Sequence, residues 1–391
     1  MDQTVHFKRH RFLWRLVWWP VWLWTRLQYN YHAKTQPITG PALIVSNHVT
    51  DYDPFFLALT VKNPTYFVAS SHVLANPRSA KLIQWAQAPI GRVKGDTAGD
   101  TALTAIRRLR KGFSVALFAE GNRTFNGVTA DIVESTAKLA RMSGASLVTH
   151  RFRGGYLTSP RWGGRSIRRG LFTGEIVNVY PPEKLKSMKP EEIADAIRAD
   201  IYEDAYATQA EWHIPYKGKN LAEHIERTLC LCPACGSLGT LESAGDTLSC
   251  SSCGLTATYT PEGYLEGEGL PFHTVLDWDR WQAEELKKRA DGAGEACMAQ
   301  DTEMELVEVE EDYSEKPVVQ GRMAIFRDRL ELAGRIMRFS DVTGMSLNGP
   351  QSLIFTMKGR HYTVKSRRVR NLRKYLTLYH AVTAPDKLMS L

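Results

Sequence analysis

Ala42-Leu43-Ile44-Val45-Ser46-Asn47-His48-Val49-Thr50-Asp51-Tyr52-Asp53-Pro54-Phe55-Phe56-Leu57-Ala58 is the stretch from which the fold can be read. Its first four residues are apolar, two of them β-branched, and suit a buried strand. Asp53-Pro54 reads as a helix start, with Asp at the N-cap and Pro at the first helical position, and the apolar run from Phe55 continues it. His48 lies on the turn between strand and helix, five positions before Asp53. A tight turn folds the imidazole back toward that carboxylate. A carboxylate on one ring nitrogen fixes the tautomer and leaves the other nitrogen basic, which is what taking a proton from a hydroxyl requires. The plainer reading makes Asp53 a helix cap and His48 a turn residue, and the rest of the chain decides between the two.

Outward from this stretch, strand-like and helix-like runs alternate from Pro41 to about Ala210. The strand-like runs are Ala42–Val45, Tyr66–Ala69, Ser114–Phe118, Ser146–Val148 and Glu175–Val179. The helix-like runs are Phe55–Val61, Ser79–Ala86, Thr97–Arg110, Asp131–Met142 and Pro190–Ala207. Such alternation predicts an α/β domain on a mainly parallel sheet. Chemistry in these sheets gathers in the turns beyond the strand C-termini, and His48 follows a strand in this way. So does Phe118-Ala119-Glu120-Gly121-Asn122-Arg123-Thr124. There Gly121 permits a sharp turn, and the planar fork of Arg123 suits a phosphate. Upstream, Pro89-Ile90-Gly91-Arg92 puts a second arginine in a turn. Each of these charges, taken alone, reads as a surface residue or a local ion pair.

Their order is more specific. Asn47-His48 with Asp53, then a Gly-containing turn with Arg92, then Phe118-x-Glu120-Gly121-x-Arg123 resembles the glycerolipid acyltransferases, specifically the lysophosphatidic acid acyltransferase (1-acylglycerol-3-phosphate acyltransferase) family. The resemblance spans roughly Arg11 to Ala210. Ala119 and Asn122 stand where the family's FPEGTR motif has Pro and Thr. The family's fourth motif, a Val-Pro-Val-like strand, falls at Leu147-Val148-Thr149-His150 and lacks the Pro. The resemblance implies His48 as general base, oriented by Asp53. It implies Arg92, Glu120, Gly121 and Arg123 as binders of a phosphate-bearing acceptor. The implied reaction carries a fatty acyl group from an acyl thioester, acyl-CoA or acyl-carrier protein, to the sn-2 hydroxyl of 1-acylglycerol-3-phosphate in phospholipid biosynthesis. Two other expectations stand beside it: the same chemistry on a different lysophospholipid or lipid acceptor, and a non-catalytic membrane-recruited scaffold.

The N-terminal residues 12–27 read FLWRLVWWPVWLWTRL. Ten uncharged residues lie between Arg15 and Arg26, whereas a spanning helix needs about 20. Trp14, Trp18, Trp19, Trp22 and Trp24 among arginines favour the head-group zone. Pro20 should kink or split the segment. The expectation is an in-plane or re-entrant membrane anchor, which makes the protein peripheral or monotopic on the cytoplasmic face of the cell membrane. A formal net charge of +8 agrees with an anionic phospholipid surface as partner. The arginine-rich stretch 151–169 reads as a basic loop facing head groups or, equally, as a solvated loop. It holds Arg151, Arg153, Arg161, Arg165, Arg168 and Arg169.

A length of 391 residues calls for more than one domain. Five of the six cysteines fall between Cys230 and Cys253, which reads as metal binding and not as a disulfide framework. Cys232-Pro233-Ala234-Cys235-Gly236 and Cys250-Ser251-Ser252-Cys253-Gly254 are two CxxCG knuckles. Four thiolates satisfy tetrahedral Zn2+, and a closed tetrathiolate site is structural. The segment resembles a zinc ribbon. Zinc ribbons also serve nucleic acid readers, but the Trp-rich terminus is out of place in one, so nucleic acid is not the expected partner. Residues 303–391 are strand-rich with a helical tail and suggest a small α+β module, similar in element order to a pleckstrin-homology or GRAM-type domain. The expected division is 1–40 anchor, 41–212 acyltransferase, 213–266 zinc ribbon, 267–302 helical linker and 303–391 accessory domain.

Overall fold

The structure, a computed structural model, describes residues 3–70, 77–92, 99–164, 166–310, 314–349, 351–366, 368 and 371–385. It divides into two compact units, Met1–Pro160 with Ile167–Lys217, and Arg161–Ser166 with Gly218–Leu391.

The first unit opens with helix α1 (Gln3–Tyr29) and strand β1 (Tyr31–Lys34), followed by β2 (Ala42–Ser46), α2 (Asp53–Val61) and β3 (Thr65–Ser70). Then come α3 (Pro77–Ala86), β4 (Ile90–Arg92), α4 (Gly99–Arg110), β5 (Ser114–Phe118), α5 (Ser135–Ser143) and β6 (Ser146–Arg153). A short α6 (Gly155–Thr158), β7 (Phe172–Tyr180), α7 (Pro182–Ser187), α8 (Pro190–Ile201) and α9 (Ala205–Trp212) complete it. The seven strands lie in the order β1-β7-β6-β2-β5-β3-β4. Every neighbouring pair is parallel except β6–β7. The central strands are buried on both faces, which is why β2 reads as an unbroken apolar run. Leu43 and Val45 pack with α4, α5 and α8, while Ala42 and Ile44 pack with Phe56 and Leu57 of α2.

Several expectations change here. Strands β1 and β4 were not among the strand-like runs. Both are short edge strands, too brief for an alternation to register. Because β1 pairs with β7, Tyr31–Lys34 belongs to the sheet and not to an anchor ending at residue 40. The run Pro190–Ala207 is two helices. Tyr202 turns extended after α8, and the Asp204 carboxylate caps α9 by accepting the N–H groups of Tyr206 and Ala207. The expected helix start at Thr97 lies outside the described residues. The stretch 151–169 is no uniform basic loop. Arg151 pairs with Glu175, Arg153 pairs with Glu211, and Arg161 and Arg168 are buried; Arg165 lies outside the described residues.

Helix α1 runs as one element through Pro20 and is not split there. Its inner side is held by packing. Phe7 meets Phe113, and Trp14, Trp18, Val21 and Trp24 lie against the core. That contact compensates the hydrogen bond that proline removes. Its outer side exposes Phe12, Leu16, Trp19, Leu23 and Leu27, spaced by three and four as one helical stripe. Among the described residues no helix is long and apolar enough to cross a membrane.

The second unit contains β8 (Leu241–Ala244), β9 (Thr247–Cys250), β10 (Thr256–Tyr259) and β11 (Leu265–Glu266), an antiparallel sheet in the order β11-β10-β9-β8. Helix α10 (Val275–Gly292) follows. The expected helical linker is in fact a core element. Trp278 is fully buried with its Nε1–H on the Leu231 carbonyl, and Gln282 binds the Cys230 N–H. The rest is β12 (Ala299–Val309), β13 (Glu315–Ile325), β14 (Arg329–Leu332), β15 (Arg335–Arg338), β16 (Val342–Asn348), β17 (Ser352–Met357), β18 (Arg360–Ser366) and α11 (Arg373–Thr383). These strands form a second seven-stranded sheet, β15-β14-β13-β12-β18-β17-β16, antiparallel throughout. Helices α10 and α11 are joined by the buried pair Asp279–Arg373, and Lys374 pairs with Asp301 at 2.7 Å. Each of these charges is buried and paired, the condition under which burial is tolerated.

Candidate active site

Strands β2 and β5 are parallel neighbours, with Ser46 beside Phe118. The turns that leave them therefore emerge side by side at one end of the sheet. One turn carries His48, the other Glu120, Gly121 and Arg123.

Asp53 is the buried centre of the first turn. It is the first residue of α2, with Tyr52 as N-cap, so it stands one position inside the helix instead of capping it. Its carboxylate turns back toward the loop. Oδ2 accepts His48 Nδ1 at 2.7 Å and Val49 N–H at 2.7 Å. Oδ1 accepts Thr50 N–H at 2.9 Å and the Thr50 hydroxyl at 2.7 Å. A fully buried carboxylate with four donors is fixed in place and cannot rotate away. A proton on His48 Nδ1 suits that carboxylate, which leaves Nε2 as the basic nitrogen. His48 is about one-fifth exposed, so Nε2 can meet a substrate. Phe118 stacks on the imidazole, with ring centroids 4.4 Å apart and planes 17° apart, and fixes the ring plane.

The second turn supports the first. Gly121 has φ +71°, the left-handed conformation that glycine adopts without strain. Glu120 was expected from the resemblance to help bind the acceptor. Both its oxygens face backbone amides instead: Oε1 accepts His48 N–H at 2.6 Å and Oε2 accepts Ala130 N–H at 2.7 Å. Burial pushes this carboxyl up to about 8 against the pull of those two N–H groups. Thr124 N–H returns a bond to the His48 carbonyl at 3.0 Å, so the turns are tied in both directions. Arg123 is buried, with Nε on the Val49 carbonyl at 3.1 Å, Nη2 on the Ser159 carbonyl at 2.6 Å and Nη1 on Asp51 at 3.0 Å.

The structure thus brings His48, Asp53, Glu120, Gly121 and Arg123 together. Arg92 ends β4 at the sheet edge, paired along the backbone with Ser70, and its side chain lies outside the described residues. Asn47 clamps β6 by accepting the Phe152 N–H at 2.8 Å and donating to the Phe152 carbonyl at 3.0 Å. His150, at the expected fourth motif, lies in the interior beside Ser46, with Nδ1 2.9 Å from the Ser46 hydroxyl. Burial lowers its pKa to about 3, which keeps it neutral. Sequence reading missed the parts played by Thr50, Phe118 and the Ser159 carbonyl. Only Thr50 left a signal, a hydroxyl three residues before the helix-starting aspartate.

In the second unit the Sγ atoms of Cys232, Cys235, Cys250 and Cys253 all lie within 4.8 Å of one another. Cys232–Cys253 is 3.6 Å and Cys235–Cys250 is 3.8 Å. A tetrahedral zinc with bonds of about 2.3 Å needs sulfur–sulfur edges of about 3.8 Å. The knuckles are built as the spacing predicts. Gly236 and Gly254 take φ +68° and +79°, and each donates its N–H to the first cysteine's carbonyl at 2.9 Å. Backbone N–H groups of Ala234 and Cys235 face the Cys232 sulfur, and those of Ser252 and Cys253 face Cys250. The four thiols therefore fit a metal ion. Cys230 stands apart, with its sulfur 3.5 Å from Gln282 Oε1 and its pKa pushed up to about 12 by burial.

Residues 28–153 match the family model for acyltransferases. This chain is also similar to the crystal structure of the 1-acyl-sn-glycerophosphate (LPA) acyltransferase, PlsC, from Thermotoga maritima. That likeness has 17% identity and a TM-score of 0.36, and it covers 44% of this chain and 68% of that one. It is therefore the segment 28–153 that is similar to an acyltransferase domain.

Proposed function

We propose that this chain moves a fatty acyl group from an acyl thioester, acyl-CoA or acyl-carrier protein, to the sn-2 hydroxyl of 1-acylglycerol-3-phosphate in phospholipid biosynthesis. The observation that carries the reading is the 2.7 Å bond from His48 Nδ1 to the buried Asp53, with the Arg123 guanidinium held on the adjoining turn. His48 Nε2 takes the acceptor's hydroxyl proton as the oxygen attacks the thioester carbonyl carbon. The carbon–sulfur bond then breaks, and the leaving sulfur takes the proton back from His48. No acyl group is bonded to the protein at any stage. Arg123 binds the acceptor phosphate, and Arg92 is assigned to the same headgroup. Glu120 and Gly121 serve the acceptor by fixing the turn on which Arg123 stands. Holding hydroxyl, base and thioester together contributes on the order of 7–11 kcal/mol at best.

The test is transfer of labelled acyl from acyl-CoA to lysophosphatidate, lysophosphatidylcholine and monoacylglycerol in mixed micelles. A charge-assisted contact at the phosphate favours lysophosphatidate by on the order of tenfold or more in kcat/KM. Faster transfer to another lysolipid would move the acceptor, a reading to which Ala119 and Asn122 lend weight. No transfer to any lysolipid would favour the scaffold.

Both substrates partition into membranes, and the exposed stripe on α1 supports attachment to a phospholipid surface, peripheral or monotopic on the cytoplasmic face of the cell membrane. Burying one large apolar side chain is worth about 1.5–3 kcal/mol. Trp19→Glu and Leu23→Glu are each expected to lower the fraction that floats with anionic vesicles by about tenfold in binding constant. Flotation equal to wild type in both would remove the stripe from the attachment. The four-cysteine cluster is assigned a structural zinc ion. The seven-stranded sheet closed by α11 is read as a pleckstrin-homology or GRAM-like module, on element order alone.

A further inference from the structure

Arg123 is buried, yet its carboxylate partner is not. The guanidinium plane is fixed from within by two neutral backbone acceptors, the carbonyls of Val49 and Ser159. Nη1 meets Asp51 Oδ2 at 3.0 Å, and the Asp51 side chain is 74% exposed against 8% for Arg123. Asp51 lies inside the His48–Asp53 turn, between the base and the residue that orients it. The two aspartates of that turn are bound very differently. Asp53 is fully buried with four donors and is not exchangeable. Asp51 reaches the arginine from the solvent side.

We propose that Asp51 stands, in the free enzyme, where the acceptor's phosphate binds Arg123, and that the phosphate displaces it on binding. The inference rests on the phosphate-bearing acceptor argued above and makes Asp51 a placeholder that this acceptor's phosphate must displace. A carboxylate and a phosphate offer the same chemistry to a guanidinium, two oxygens across its planar edge. A phosphate monoester brings more charge and a third oxygen, so it wins the exchange. A neutral headgroup wins nothing from it. The carboxylate keeps the guanidinium aimed and charge-paired while the site is empty, at the cost of some affinity. Ion pairs with one exposed partner are worth about 0–1 kcal/mol, so that cost is at most about fivefold.

The test compares wild type with Asp51→Asn and Asp51→Ala in two assays. In the first, calorimetry measures binding of glycerol 3-phosphate to the full chain, which needs no turnover. Both variants are expected to bind about two- to fivefold more tightly. In the second, acylation kinetics are followed on lysophosphatidate and on monoacylglycerol. KM for lysophosphatidate is expected to fall by the same factor and to move more than kcat, while KM for monoacylglycerol stays put. Unchanged or weaker glycerol 3-phosphate binding in both variants would overturn the proposal and leave Asp51 as a support for Arg123. If wild type acylates no lysolipid, the proposed reaction fails, and the calorimetric comparison still decides the exchange at Arg123.

Discussion

Replacing His48 with alanine is expected to lower acyl transfer by about 10²–10⁴-fold in kcat, the range for loss of a general base. The fold should survive, because the imidazole is partly exposed and the backbone bonds of the turn to Glu120 and Thr124 stay in place. Asp53→Asn is the sharper variant. An asparagine there offers one oxygen and one NH2 to a set of four donors. If the NH2 faces His48, it donates to Nδ1 and drives the ring proton onto Nε2, the nitrogen that must accept from the substrate. A loss as large as that of His48→Ala follows without any change in ring position. Unpaired buried donors also cost about 1–3 kcal/mol of stability. Thermal melting beside kcat separates the two effects: His48→Ala loses rate and keeps its melting temperature, whereas Asp53→Asn loses both. A His48→Ala enzyme that kept its rate would take the imidazole out of the mechanism.

Removing the metal is expected to have the largest effect on stability. Strands β8–β11 are short, of two to four residues, and Cys250 of the four-thiol cluster ends β9. Structural zinc in such small ligand sets contributes about 10–16 kcal/mol of apparent binding free energy near neutral pH, and without it the set does not fold. Purified protein should carry one zinc per chain by atomic absorption. Chelation should abolish the cooperative melting of this segment. Cys250→Ser should lose the metal, while Cys230→Ser and Cys297→Ser should keep it, because neither sulfur belongs to the cluster. A full complement of zinc in Cys250→Ser, or a melt indifferent to chelation, would refute the assignment.

How much of this was legible in the sequence depends on how local the cause is. The parallel core was legible because strands such as β2 are buried on both faces and so apolar at every position. The knuckles were legible because CxxCG spacing alone dictates the turn. The His48–Asp53 pair was legible because one short turn contains both residues. The edge strands were not, since Tyr31–Lys34 owes its strand to pairing with Phe172–Glu175, far along the chain. The break between α8 and α9 hid in an unremarkable tripeptide, Tyr202-Glu203-Asp204, whose message lies in the Asp204 cap. The partners of Glu120 were hidden for a related reason. Its charge suggested the ligand, but its two partners, the His48 and Ala130 amides, are set by how two turns meet. The same holds for Arg123, whose inner bonds go to carbonyls that no side-chain pattern announces. The helical linker became core because Trp278 finds the Leu231 carbonyl and Gln282 the Cys230 N–H, far back along the chain.

The central claim is that His48, aimed by Asp53, takes the proton of a phosphate-bearing acceptor's hydroxyl. The most direct measurement is transfer of labelled acyl from an acyl thioester to lysophosphatidate in detergent micelles, with wild type beside a folded, zinc-loaded His48→Ala. The account predicts phosphatidate from the wild type and a rate lower by about 10²-fold or more from the variant. Equal product from both would contradict it.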